Sequence, residues 1–113
     1  MNNLITYILA FNDDDPTIID RQTQQQTLEE NKTNIHYTEE RVAFSNGTVM
    51  LKTTEFDEVL DILDDSVCPE CWIKYEIITQ PHNGKITPKK KIFTNRCQES
   101  FWLKLQNTRS KLN

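Results

Sequence analysis

Two cysteines separated by two residues, Cys68 and Cys71, form the most chemically suggestive motif of the chain. A redox pair of this spacing depends on a helix N-terminus to lower the thiol pKa. Here we expect the pair to follow a helix and precede a strand, which argues against redox catalysis. A structural zinc site needs four ligands. Cys97 can supply a third if a returning strand brings it close, and the fourth would come from His36 or, less well, Glu99. We expect free thiols and no cofactor, with zinc as the alternative.

Three consecutive aspartates, Asp13, Asp14 and Asp15, follow the first apolar segment. The stretch from Tyr7 to Asp13 resembles the opening of a family of small ferredoxin-like, CRISPR-associated nucleases. That resemblance implies that an acidic residue after the first strand carries a metal ion, so that Asp13 to Asp15 would serve a metal-dependent nuclease. The alternative, which we favour, is a solvated turn that caps a helix.

A second acidic group lies on a predicted amphipathic helix from Thr54 to Val67. Its apolar positions recur at spacings of three and four residues, which predicts that Phe56, Leu60 and Leu63 are buried. Like charges four apart destabilise a helix slightly. The acidic face is either an ordinary solvated surface, which is slightly favoured, or one that occupies a basic groove on a partner by imitating phosphates. With the three aspartates above, the predicted partner-binding residues are Asp57, Glu58, Asp61, Asp64 and Asp65.

The charge is divided between the two halves of the chain. Residues 1–71 contain fifteen acidic and four basic residues, whereas residues 72–113 contain two acidic and nine basic ones. Either the halves attract each other within the fold, or one of them meets a charged partner. Basic side chains close to aromatic ones could bind nucleic acid, and the candidates are Lys85, Lys89, Lys90, Lys91 and Arg96, among Trp72, Tyr75, Phe93, Phe101 and Trp102.

Motifs for catalysis are missing from the sequence. It has no serine nucleophile elbow, no H-E-x-x-H motif and only two glycines, each after an asparagine in a predicted turn, which excludes a glycine-rich phosphate loop. Its 113 residues suffice for one domain with one core. With no apolar run long enough to span a membrane and an odd number of cysteines, we predict one soluble, cytoplasmic, non-enzymatic domain over residues 1–113.

The elements that must position these residues begin with Leu4–Phe11, a nearly continuous apolar run that predicts a central strand. Asp15 and Pro16 are typical of a helix start, which slightly favours a helix over Thr17–Asn31. The alternative is a strand from Thr17, which would make the fold an antiparallel meander with two helices.

Two Asn-Gly pairs predict turns between antiparallel strands. Asn46-Gly47 would pair Phe44 with Val49 and Val42 with Leu51 on one buried face. Asn83-Gly84 would join a strand over Trp72–Thr79 to a return through Lys85–Thr94, with Glu76 facing Lys91. Asn95 and Gln98 then predict a capped final helix, with an apolar stripe of Cys97, Phe101 and Leu105.

This order predicts an α+β fold with helices on one face of an antiparallel sheet: a ferredoxin-like βαββαβ core extended by a strand and a C-terminal helix. The function that we expect is that of a small acidic binding protein, of the inhibitor, immunity or anti-defence type found in bacteria and phages. Its partner would be a basic, nucleic-acid-handling protein. A nucleic-acid-binding module and a small nuclease are the alternatives.

Overall fold

The computed structural model describes residues 3–30, 33–57 and 70–111. Within these ranges the chain is α+β, with a five-stranded antiparallel sheet and two helices. The elements are α1 (Leu4–Asn12), β1 (Ile18–Glu30), β2 (Thr33–Phe44), β3 (Val49–Asp57), β4 (Glu70–Thr79), β5 (Lys90–Asn95) and α2 (Arg96–Lys111).

The first apolar segment is a helix, so the predicted central strand is wrong. The side chain of Asn3 caps α1 by accepting a hydrogen bond from the backbone N–H of Ile5 (3.2 Å). Leu4, Ile8 and Phe11, spaced four and three residues apart, pack into the core. The further apolar residues between them hid this helical spacing, because they made the run look continuous.

The slightly favoured helix over Thr17–Asn31 is also wrong, and the alternative strand is confirmed as β1. Asp15 does not cap a helix. Its Oδ1 accepts hydrogen bonds from the backbone N–H (2.9 Å) and hydroxyl (2.8 Å) of Thr17, a local turn that leads into β1. Thr23 and Thr27 have branched Cβ atoms, which suit a strand better than a helix.

The Asn46-Gly47 turn joins β2 and β3 as predicted, but its loop is one residue longer. Gly47 adopts φ 91°, and the N–H of Phe44 donates to the oxygen of Thr48 (2.8 Å). The predicted pairs are therefore wrong by one residue: Ala43 pairs with Val49, Val42 with Met50 and Arg41 with Leu51. The register buries Phe44, Val42 and Met50 and places Val49 and Leu51 on the other face.

The helix predicted from Thr54 is wrong at its start, because β3 continues through Asp57 and pairs with both neighbouring strands. Phe56 is 37 % exposed on this strand and stacks on His36. The rest of the predicted helix, including Leu60 and Leu63, lies outside the described residues.

The strand predicted over Trp72–Thr79 is confirmed as β4, and it pairs with β5. Asn83-Gly84 lies in the connection over residues 80–89, which is longer than a two-residue turn. The register is again shifted by one from the prediction, so that Glu76 opposes Lys90 and Tyr75 opposes Lys91.

The N-terminus of α2 is capped by Asn95, whose Oδ1 accepts from the N–H of Gln98 (2.8 Å). The predicted apolar stripe, however, faces solvent: Phe101 is 69 % and Leu105 39 % exposed. Trp102 and Leu103 pack against the core instead. The stripe was misplaced because helical spacing shows which residues share a face but not which face meets the sheet.

The strands lie side by side in chain order, β1-β2-β3-β4-β5, so the ferredoxin-like core is not confirmed. The sheet is the antiparallel meander of the alternative prediction. We call the face that packs against the helices the inner face and the opposite one the outer face. The core lies between α1 and the inner face and contains Val42, Phe44, Met50, Ile73, Tyr75, Ile77 and Phe93.

Candidate partner-binding site

The structure separates the predicted acidic residues. Asp13, Asp14 and Asp15 form the loop after α1, next to the turn between β2 and β3. Asp57 is exposed at the far end of β3, eight residues from Val49, which is roughly 26 Å along a strand. The other predicted positions, Glu58, Asp61, Asp64 and Asp65, lie outside the described residues. Asp57 and the loop therefore do not form one surface.

Two carboxylates of the loop are held by neighbouring groups. Asp14, with φ 51°, forms an ion pair with Nη2 of Arg21 (3.2 Å), and the same nitrogen donates to the backbone oxygen of Phe11 (3.1 Å). The hydrogen bonds from the backbone N–H and hydroxyl of Thr17 lower the pKa of Asp15. Both carboxylates thus help to fix the path from α1 to β1.

Asp13 is placed differently. It is exposed and is the C-cap residue of α1, with its backbone N–H donating to the oxygen of Leu9 (2.9 Å). The C-terminal end of a helix carries a partial negative charge, so a carboxylate there is unfavourable. No basic residue lies in the last turn of α1 itself, but the Arg21 guanidinium donates to the carbonyl oxygen of Phe11 at this helix end and offsets part of the effect. Asp13 is exposed and forms no ion pair with the described residues, so its carboxylate can meet a positively charged group from outside.

A groove of about 490 Å³ lies beside Asp13, between α1 and the β2–β3 turn. We call it the acidic groove. Its apolar lining comes from Tyr7, Leu9, Ala10 and Phe44, and its polar lining comes from Thr6, Asp13, Asp15, Thr17, Ser45 and Asn46.

The walls of the acidic groove are fixed to each other. The ring of Tyr7 meets that of Phe44 edge to face, with centroids 5.0 Å apart. Asn46 Nδ2 donates to the Tyr7 hydroxyl (2.9 Å), and Asn46 Oδ1 accepts from the N–H of Thr48 (3.1 Å). His82 joins this turn through its backbone N–H, which donates to the oxygen of Asn46 (3.1 Å). The groove is therefore preformed.

Sequence reasoning did not find the apolar wall of this groove, because Leu4–Phe11 was assigned to a strand. The available signal was Asn3, a good N-cap residue, immediately before apolar residues at Leu4, Ile8 and Phe11. On a helix with that buried face, Thr6, Leu9 and Ala10 fall on the opposite or flanking side.

The two described cysteines differ in state. Cys71 is a free thiol, 4 % exposed, and burial raises its pKa. Cys97 is exposed on α2 and is disulfide-bonded, so the expectation of a free thiol is wrong at this position. Cys68 lies outside the described residues. Cys71 and Cys97 lie near the same end of the sheet, since Glu70 pairs with Asn95.

The other predicted metal ligands have structural roles. His36 stacks on Phe56 with ring centroids 5.0 Å apart, and Glu99 Oε2 accepts a hydrogen bond from the hydroxyl of Tyr75 (2.6 Å). In the described ranges, no group of three or more His, Cys, Asp or Glu side chains could hold a metal ion.

The basic residues do not form a uniform nucleic-acid surface. Lys85, Lys89, Lys90 and Arg96 are exposed, but the ammonium of Lys91 lies over the rings of Phe93 (5.7 Å) and Trp102 (5.6 Å). Phe93 and Tyr75 are buried, and Trp72 lies on the outer face. Three of the five aromatic residues predicted to stack on bases are thus used in packing, namely Tyr75, Phe93 and Trp102, whereas Trp72 and Phe101 are exposed.

No helix among the described residues is long and apolar enough to cross a membrane. Comparison with known proteins gives no family for the chain: no protein-family model, curated protein or solved structure matches it.

Proposed function

We propose that this protein binds a basic partner protein through the acidic groove and catalyses no reaction. The observation that carries the proposal is a preformed groove of about 490 Å³ with apolar walls and the exposed carboxylate of Asp13 at its edge. Such a groove suits an apolar side chain that enters between α1 and the β2–β3 turn, followed by a lysine or arginine that meets Asp13.

The position of Asp13 at a helix C-terminus supports a binding role. A carboxylate is unfavourable there, and such residues are often retained for function, since activity and stability conflict at binding sites. The surroundings of the three aspartates argue against the nuclease alternative. Asp14 and Asp15 already accept hydrogen bonds from Arg21 and Thr17, and α1 takes the place of the strand on which the resemblance to CRISPR-associated nucleases depends.

The proposal can be tested with three charge reversals of equal size. Asp13→Lys changes the groove, whereas Asp20→Lys and Asp57→Lys change exposed acidic residues elsewhere on the sheet. Each tagged variant is used to capture proteins from a lysate of the source organism or, for a phage protein, of the bacterium that the phage infects. The captured proteins are identified by mass spectrometry. We expect a basic prey whose affinity falls roughly tenfold or more with Asp13→Lys and stays constant with Asp20→Lys.

The outcomes separate the candidate functions. Loss of the prey with Asp57→Lys alone would move the binding surface to the far end of β3. Co-purified RNA or DNA that is lost with Lys89→Gln/Lys90→Gln would favour the nucleic-acid-binding module. A prey that is unaffected by Asp13→Lys would contradict the proposal.

A further inference from the structure

The two edges of the sheet differ in how they are protected against pairing with another strand. Edge strand β5 has only six residues, includes Lys90 and Lys91 and follows Pro88, all features that discourage pairing. Edge strand β1 has thirteen residues and carries no charge, proline or glycine from Gln22 to Leu28. Among the described residues, β1 pairs only with β2. No other described strand lies along its second side.

Hydrogen bonds near the β2–β3 turn show which backbone groups of β1 point outward. The N–H of Phe44 donates toward β3, to Thr48, whereas that of Ser45 donates toward the β1 side, to Thr17. Odd-numbered residues of β2 therefore point toward β1, and they oppose even-numbered residues of β1 such as Gln22 and Gln24. The outward-pointing N–H and C=O groups of β1 belong to Arg21, Thr23, Gln25, Thr27 and Glu29.

We propose that β1 pairs with β1 of a second copy of this chain, antiparallel, about a two-fold axis at Gln25. The axis is perpendicular to the sheet, so that two five-stranded sheets become one ten-stranded sheet. In this register Gln25 opposes its own copy, Thr23 opposes Thr27 and Arg21 opposes Glu29. All of these residues present outward-pointing groups, which gives five pairs and about ten backbone hydrogen bonds.

Charge complementarity selects a second copy as the partner strand, and this register among those that symmetry allows. Arg21 and Glu29 lie on the same face of β1, and the two-fold axis produces their opposition twice. An axis at Gln24 would place Arg21 opposite Thr27. An axis at Gln26 would place Arg21 opposite a position beyond the end of β1. Within its own chain the Arg21 guanidinium lies over the Phe11 ring, with Cζ 4.7 Å from the centroid, and its Nη2 donates to Asp14 and to the carbonyl oxygen of Phe11. The other guanidinium nitrogens carry further donors for a partner carboxylate.

The symmetry has a consequence for the surface. Since the axis is perpendicular to the sheet, both copies present their inner faces on the same side. Both α1 helices, and with them both copies of the groove beside Asp13, then face the same direction. An edge-to-edge contact buries less surface than a standard interface, so we expect a reversible dimer that forms as concentration rises.

Sedimentation velocity of the full chain over a wide concentration range tests for the dimer. We expect a monomer–dimer equilibrium that Gln25→Pro abolishes, because that N–H is used only between copies and an edge strand tolerates proline there. Glu29→Lys should weaken the dimer about tenfold by opposing two pairs of like charges. The matched reversal Glu55→Lys, on the central strand β3, should leave it unchanged. Circular dichroism establishes that each variant is folded.

Cysteine substitutions at Gln24, Gln25 and Gln26 test the register, because only the residue on the axis meets its own copy. Under mild oxidation Gln25→Cys should form the covalent dimer fastest. Faster cross-linking of Gln24→Cys or Gln26→Cys would overturn this register. A chain that stays monomeric at all concentrations, or that forms open-ended aggregates, would overturn the dimer itself.

Discussion

Replacing Tyr75 by phenylalanine should change both the stability of the protein and its dependence on pH. Tyr75 is 1 % exposed, and its hydroxyl donates to Oε2 of Glu99 at 2.6 Å, which ties α2 to β4. Loss of a hydrogen bond to a charged group costs about 1.5–3 kcal/mol. Because Glu99 is half-buried and water can partly replace the hydroxyl, we expect Tyr75→Phe to lower the free energy of unfolding by about 1–2 kcal/mol at pH 7.

The pH dependence follows from the raised pKa of Tyr75. Burial is the main cause, and the hydrogen bond and negative charge of Glu99 add to it. The unfolded chain releases this proton above the ordinary pKa of 10.0, whereas the folded chain retains it. The folded state is thus fully stabilised below pH 10 and loses about 1.4 kcal/mol for each pH unit above it. The stabilities of wild type and Tyr75→Phe should therefore converge near pH 11.

Urea unfolding followed by tryptophan fluorescence, at pH values from 7 to 11, measures this difference. Comparison with Tyr75→Phe cancels the titration of the other groups, which both proteins share. If the difference in unfolding free energy stays constant over this range, Tyr75 is not a buried donor to Glu99 and the reasoning fails.

Three further predictions concern the turn, the helix end and the thiols. Gly47→Ala should destabilise the protein by more than about 1 kcal/mol in urea unfolding, because φ is 91° and the new Cβ would lie 2.6 Å from Nε2 of His82. Adding His82→Ala to this variant should relieve the clash with the ring but not the backbone strain. Asp13→Asn should raise the unfolding free energy only slightly, because Arg21 already offsets part of the negative helix end; a decrease would contradict the helix-end argument. Without reductant, intact mass should show one disulfide that includes Cys97. An alkylating agent should modify Cys71 only after denaturation, because this thiol is buried. Elemental analysis should give less than one zinc per chain.

Local sequence signals determined several parts of this protein. The Asn46-Gly47 turn, the strand that became β4 and the Asn95 cap of α2 were predictable, because each depends on residues close together in the chain. Turn and cap residues act through their own backbone geometry. The fold still overrode one such signal, since a strand and not a helix follows Asp15 and Pro16. The α+β class followed from the same elements.

Tertiary structure decided what the local signals left open. Leu4–Phe11 could bury itself as a strand or as a helix, and packing of Leu4, Ile8 and Phe11 on the sheet selected the helix. A one-residue extension of the β2–β3 loop moved Val49 and Leu51 to the outer face, because strand side chains alternate. The acidic groove exists only because α1 lies beside that turn. Its residues are far apart in the sequence, so their proximity is a property of the fold and not of any segment.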